Sequence, residues 1–190
     1  EVSLTTGKCV CAALKKAGYE VVSHDLQNGF ELVETLKKEK PDVVFNALHG
    51  NWGEDGEIQG FLDVLQVPYT HSGLKASVLG MDKSLTKELA SENGIKVPQG
   101  EKMTFRKFKA EGTFLKMPYV VKPVSDGSSV GVYIIRKKED VEAVRYEDDR
   151  EILIEEFIDG KELTCMVLGS QAHVVTELRA SDEFYDYHAK

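Results

Sequence analysis

Tyr119-Val120-Val121-Lys122-Pro123-Val124-Ser125-Asp126-Gly127-Ser128-Ser129-Val130-Gly131-Val132 is an apolar run, a small-residue loop and the start of a second apolar run. The flanks read as strands and the middle as the turn between them. Such a loop can offer backbone N–H groups and hydroxyls to phosphate oxygens. It does not end in Gly-Lys-Ser/Thr before a helix, so it is no P-loop. It also lacks the Gly-x-Gly-x-x-Gly spacing of a dinucleotide fold. Two readings remain: a hairpin flap over a triphosphate, or an ordinary Ser/Gly-rich hairpin. Lys122 shares a strand face with Val120, and a partly buried ammonium is matched by an anion such as phosphate; a strand-end lysine snorkelling to solvent is the alternative.

Upstream, residues 83–92 read as a helix capped by Asp82 and stopped by Asn93-Gly94. Lys83 then falls in the first turn, where the macrodipole disfavours a cation unless something negative offsets it. Further upstream, His49-Gly50-Asn51-Trp52-Gly53-Glu54-Asp55-Gly56 follows a predicted strand, 43–48. Loops at that end of an open α/β sheet bind ligands, and His49 can act there as a hydrogen-bond donor or an acid/base group. Glu54 and Asp55 are expected as cap and first-turn carboxylates of the next helix, 56–65. Downstream, Glu155-Glu156-Phe157-Ile158-Asp159-Gly160-Lys161-Glu162 closes a strand. Phe157 and Ile158 could clamp a base and Glu162 hold ribose hydroxyls, or the segment is only a strand ending in a turn.

The remaining pattern places helices at 5–17 (Thr5 or Thr6 as N-cap, Gly18 as C-cap) and 30–39, with strands at 19–26 and around 68–70. Alternation of strand and helix makes a parallel α/β layer the economical arrangement for this first part. Beyond Met81, strands at 119–122, 132–135 and 152–157 with a helix near 138–144 suggest a small α+β layer. A hairpin over 162–168 and 173–178 follows, turning at Gly169-Ser170, and residues 179–190 read as loop.

The 190 residues are 42% hydrophobic and 29% charged, and 24 Lys+Arg against 32 Asp+Glu give a net charge of −8. That profile is globular, and an acidic balance argues against broad nucleic-acid binding. No apolar run approaches the ~18 residues that cross a bilayer and no leader-like segment opens the chain, so a cytoplasmic protein is expected. Three cysteines fit a reducing compartment. Cys9 and Cys11 stand about 200° apart around a helix and cannot chelate one ion together, so all three are expected as small, buried or half-buried residues.

Taken in order, these segments closely resemble the D-alanine:D-alanine ligase family of ATP-grasp enzymes. The resemblance is carried by Val2-Ser3-Leu4 with Gly7, His49 through Gly60, Pro68-Tyr69-Thr70 with Ser72-Gly73, and Met81-Asp82-Lys83 with Lys87. It continues through Lys122-Pro123 with Gly127-Ser128-Ser129-Val130-Gly131, Glu155 to Glu162, and Phe184-Tyr185-Asp186-Tyr187 with Ala189-Lys190. It implies a Rossmann-like N-terminal pre-ATP-grasp α/β domain over 1–72 lacking its first strand. A central ATP-grasp domain over 73–154 and the start of a C-terminal ATP-grasp domain over 155–190 would follow.

The implied activity joins two D-alanines with ATP through an acylphosphate, for peptidoglycan precursor synthesis. Lys83 and Lys122 would meet ATP phosphates beneath Ser128 and Ser129. Glu155 would take the adenine amino group, Glu156, Phe157 and Ile158 the base, and Glu162 the ribose. Phe184 and Lys190 would belong to a closing loop. Val2 and His49 would lie beside the first D-alanine, and Ser128 would join a catalytic hydrogen-bond network. The family's Mg²⁺ or Mn²⁺ ligands and catalytic tyrosine would fall downstream of residue 190, and its ammonium-binding glutamate upstream of Glu1, so the stretch reads as the middle of a longer, homodimeric enzyme. A D-alanine:D-lactate ligase, another ATP-grasp carboxylate–amine ligase and a non-catalytic nucleotide-binding module are the alternatives.

Overall fold

Asn28 and Asp82 start helices for the same reason: a short polar side chain accepts from first-turn N–H groups that the helix itself leaves without partners. Asn28 Oδ1 accepts from Glu31 N at 3.0 Å, and Asp82 Oδ1 accepts from Ser84 N and Leu85 N at 2.8 and 3.0 Å. The structure, a computed structural model, describes residues 1–127 and 129–179. The chain divides into two units, Glu1–Met81 and Asp82–Lys190.

The first unit holds four helices, α1 (Val2–Lys16), α2 (Gly29–Glu39), α3 (Glu57–Val64) and α4 (Leu74–Met81). Its core is small. Leu32 from α2 meets Ile58 and Leu62 from α3, with Leu26, Leu36, Val44, Leu48, Phe61, Val67 and Tyr69 partly buried around them. Val44 and Tyr69 form a parallel bridge, in which Val44 N donates to Pro68 O at 2.8 Å and Thr70 N to Val44 O at 3.0 Å.

Several expectations for this unit need correction. Residues 19–26 run without helix or ladder, and 43–48 contribute only that bridge, with Val43 exposed. A strand is defined by its neighbour, and alternating apolar residues cannot make one where no partner lies alongside. The first helix begins at Val2, so Thr5 and Thr6 lie within its first turns instead of capping it. No residue of α1 is buried, and Cys9 is exposed, as is Cys165 in the second unit. Helix α4 has only a weak apolar stripe and escaped the periodicity argument.

The second unit opens with α5 (Lys83–Glu92), as the cap at Asp82 requires. Then come β1 (Gly100–Thr104), α6 (Phe105–Glu111), β2 (Tyr119–Pro123), β3 (Tyr133–Ile135), a 3-10 helix (Lys138–Ala143) and β4 (Glu151–Glu156). The expected helix near 138–144 is thus a 3-10 helix, and β1 and α6 are additions. The four strands form an antiparallel sheet in the order β1-β4-β2-β3.

Strand β4 is central because Ile152, Leu153 and Ile154 are apolar on both faces. On one face Val121, Ile135, Ile152 and Ile154 pack with Met103, Tyr119, Val144 and the α6 residues Phe105 and Phe108. Removing each such side chain from water contributes about 1.5–3 kcal/mol, enough to fix the register of the sheet. A separate hairpin, β5 (Glu162–Leu168) and β6 (Gln171–Leu178), turns at Gly169-Ser170 as expected, and β5 is exposed along its length.

Candidate functional site

In β2 the side chains alternate, so Tyr119 and Val121 enter the core while Val120 and Lys122 point to the opposite face. Lys122 pairs with Leu153 and Val120 with Glu155 across β2 and β4, which puts Lys122 and Glu155 on that opposite face as diagonal neighbours within reach of a long side chain. Lys122 Nζ makes an ion pair with Glu155 Oε2, and Lys87 Nζ, one turn after Lys83 in α5, lies 2.7 Å from Glu155 Oε1. Both carboxylate oxygens of Glu155 are therefore taken by lysines. That carboxylate is buried. Burial pushes its pKa up, but the hydrogen bonds and charges of Lys122 and Lys87 outweigh this and hold it below the usual carboxylate range.

Lys83 leaves the positive end of α5 and turns to the loop after β2. Its Nζ donates to Asp126 O at 2.5 Å and to Val124 O at 3.4 Å, while its backbone N–H donates to Val124 O at 3.0 Å. Asp82 and Ser125 form an antiparallel bridge beside these contacts. The charge that the macrodipole disfavours is met by carbonyl dipoles. Burial, and next the nearby Lys122 ammonium, push the Lys83 pKa below its ordinary value. Two ammonium groups that disfavour each other, beside a loop of small residues, gain from an anion placed between them.

The loop is fixed at both stems. Arg150 Nη2 donates to Ser125 O at 2.9 Å and pairs with the Asp126 carboxylate. At the far stem, the Tyr146 hydroxyl donates to Gly131 O. Between them Ser129 has a positive φ of 58°, and its carbonyl accepts from Val132 N at 3.4 Å. Ser128 lies outside the described residues.

The residues that close β4 have the following partners. Glu156 Oε1 accepts from Gln99 N at 2.9 Å, so this side chain ties β4 to the chain before β1. The Phe157 ring carries the Arg136 guanidinium at 5.4 Å from its centre, Ile158 is exposed, and Glu162 begins β5 opposite Leu178.

In the first unit His49 Nε2 is 3.0 Å from Thr6 Oγ1, and His49 N donates to Ser3 Oγ at 3.1 Å. These contacts join the loop to the first turns of α1, where Val2 is exposed. Glu54 binds Gly50 N at 2.7 Å instead of capping a helix. Asp55 accepts from Trp52 N and Glu57 N at 2.7 and 3.1 Å, close to its expected role. Phe184 and Lys190 lie outside the described residues.

Sequence reasoning gave no site role to Lys87, Gly100, Arg150 or Tyr146, nor to Ser3 and Thr6 as partners of His49. Lys87 was legible only as part of a shared motif, and Gly100 gave no signal at all. A Cβ at Gly100 would lie 2.3 Å from Ile154 O and 2.9 Å from Glu155 Cγ, so only glycine lets β1 approach β4 here. Among the described residues no group of three His, Cys, Asp or Glu side chains converges to hold a metal ion.

Comparison with known proteins follows these features. Residues 26–72 match the family model described as "D-ala D-ala ligase N-terminus", and residues 89–190 match "D-ala D-ala ligase C-terminus". The chain is 45% identical to the D-alanine–D-alanine ligase of Parvibaculum lavamentivorans, over all of the chain and 62% of that protein. A crystal structure of the D-alanine–D-alanine ligase from Bacillus anthracis matches with a TM-score of 0.79 and 37% identity, covering 100% of this chain and 63% of that one. A second structure from the same organism, complexed with ATP, matches at 0.78 and 35%, covering 98% and 61%. The chain thus spans a little over three fifths of the relatives it matches. Its mixed helix and sheet architecture is theirs, and with one family model alone covering more than half of it, the chain belongs to the D-alanine–D-alanine ligase family.

Proposed function

We propose that this chain carries the nucleotide-holding part of an ATP-dependent ligase that joins two D-alanines for peptidoglycan precursor synthesis in the cytoplasm. The γ-phosphoryl group of ATP passes to one D-alanine carboxylate. The amine of a second D-alanine attacks the resulting acylphosphate, releasing phosphate, and ADP and D-alanyl-D-alanine are the other products. Such transfer depends on positioning and on neutralising charge, which is what converging lysines supply.

The observation that carries this reading is the placement of Lys83 and Lys122 beside one small-residue loop whose stems are pinned. Lys83 and Lys122 hold the phosphates, and Ser128 and Ser129 close over them. In this reading Glu155, Glu156, Phe157, Ile158 and Glu162 line the base and ribose. His49 and Val2 border the first D-alanine, while Phe184 and Lys190 belong to the loop that excludes water. The domain limits follow the family pattern, 1–72, 73–154 and 155–190, within a homodimer. A Mg²⁺ or Mn²⁺ ion, if bound, would add charge neutralisation to that of Lys83 and Lys122, and the described residues offer no cluster to ligate it.

The test is phosphate release by the full-length protein, which should require both ATP and D-alanine. ATP binding without D-alanine-dependent phosphate release overturns the ligase assignment, and release that requires D-lactate beside D-alanine marks a depsipeptide-forming relative. Lys122→Ala should weaken ATP binding by roughly tenfold or more, the scale of a lost charge-assisted hydrogen bond, while Lys37→Ala on the exposed side of α2 should leave it unchanged.

A further inference from the structure

Lys87 has no part in the chemistry assigned above, yet it is held as closely as Lys122. Its side chain is 17% exposed against 25% for Lys122, and the Glu155 side chain between them is 6% exposed. Gly100, opposite Glu155 in the β1–β4 register, keeps this space open, because a Cβ there would stand 3.0 Å from Lys87 Nζ. Three ionised groups of alternating sign are thus locked together by one backbone approach.

We propose that Lys87 is a positioning residue for Lys122, acting through Glu155, and that it preserves the net positive charge this sheet face offers to a triphosphate. The inference rests on the nucleotide reading above. Lys122 and Glu155 alone sum to zero, so the carboxylate cancels the cation that phosphate needs. With Lys87 the cluster sums to one positive charge, and Glu155 gives one oxygen to each lysine instead of both to Lys122. Lys87 also ties the Glu155 carboxylate, which anchors Lys122 Nζ, to α5.

The experiment measures the affinity of the full-length protein for ATP and for inorganic tripolyphosphate, a probe of the phosphate tail without base or ribose, by titration calorimetry. Lys87→Met should weaken tripolyphosphate binding about tenfold. The double variant Lys87→Met with Glu155→Gln should bind tripolyphosphate to within about threefold of the wild type, because Lys122 is no longer cancelled; its ATP affinity is not the readout, since Glu155 also lines the base in the reading above. A residue that merely packs the helix onto the sheet predicts the reverse, a double variant no better than the single one. Wild-type affinity in Lys87→Met, or a double variant as weak as the single, overturns the proposal. If Lys87→Met fails to fold by circular dichroism, the double variant decides alone: near-wild-type tripolyphosphate affinity supports the proposal and a tenfold loss overturns it. A wild-type protein that binds neither ATP nor tripolyphosphate refutes the nucleotide reading itself, which is a different failure.

Discussion

The two units carry candidate residues on different foundations. In Asp82–Lys190, Lys122 and Glu155 stand on adjacent strands of a sheet whose opposite face is sealed by Val121, Ile135, Ile152 and Ile154, all without solvent exposure. In Glu1–Met81, His49 sits on a loop held to α1 by Ser3 and Thr6, and only Leu32, Ile58 and Leu62 form the buried core. The contrast teaches how each site keeps its geometry. Ladder and core hold a side chain through many shared contacts, whereas His49, on a loop whose Gly53 is anchored by Asn46 and Gln59, is itself tied to α1 by two exposed hydrogen bonds and can move without disturbing a core.

The largest expected difference between the units is in core truncation. Ile154→Ala should cost about 3–5 kcal/mol, because neighbours on both sides are themselves packed and cannot collapse into the cavity. Leu62→Ala should fall nearer 2–3 kcal/mol, since the partly exposed side chains around it can relax. Urea unfolding of the two variants measures this, and equal losses would erase the distinction.

Gly100→Ala sharpens it next. A methyl group 2.3 Å from Ile154 O forces β1 away from β4, at a cost of about 1–3 kcal/mol, and displaces Glu155 with it. Both the unfolding midpoint and ATP affinity should fall. A change in neither would show that the sheet is as yielding as the loops of the first unit.

Acid gives a third measurement. Above the usual carboxylate range Glu155 is ionised in both the folded and the unfolded chain, and its pairs with Lys87 and Lys122 contribute in full. As pH falls through that range the unfolded chain binds the proton first. Stability is then lost until the folded carboxyl, with its depressed pKa, also protonates. The urea midpoint should therefore drop from about pH 5 downwards, and less steeply in Glu155→Gln.

The smallest effects, about 1 kcal/mol each, come from Asn28→Ala and Asp82→Ala, which remove one N-cap from each unit. Thermal unfolding should show them alike in stability. Only Asp82→Ala should also weaken ATP binding, because that cap sets the direction in which Lys83 leaves its helix.

Legibility followed the same division. The helix at Lys83–Glu92 was readable to the residue, since Asp82 and Asn93-Gly94 are local signals that act within one turn. Strands β2, β3 and β4 and the hairpin were readable from alternation and small-residue turns within a residue or two at most ends, though β6 starts two residues earlier than expected. Residues 19–26 show the limit. Their apolar pattern is that of a strand, but pairing requires a neighbour that no local pattern supplies.

The amino-acid sequence by itself determined the caps, the turns, the alternation that points Lys122 away from the core, and the motifs that assign the family. Only the tertiary structure decided that Glu155 stands between Lys87 and Lys122, that Gly100 must be bare, and that Arg150 and Tyr146 hold the two stems of the loop. The reason is range. Capping and periodicity act between residues three or four apart, whereas Gly100, Lys122 and Glu155 are brought together by the register of β4 against two strands distant in the chain, and Lys87, Tyr146 and Arg150 come from a helix and a loop equally distant from their partners.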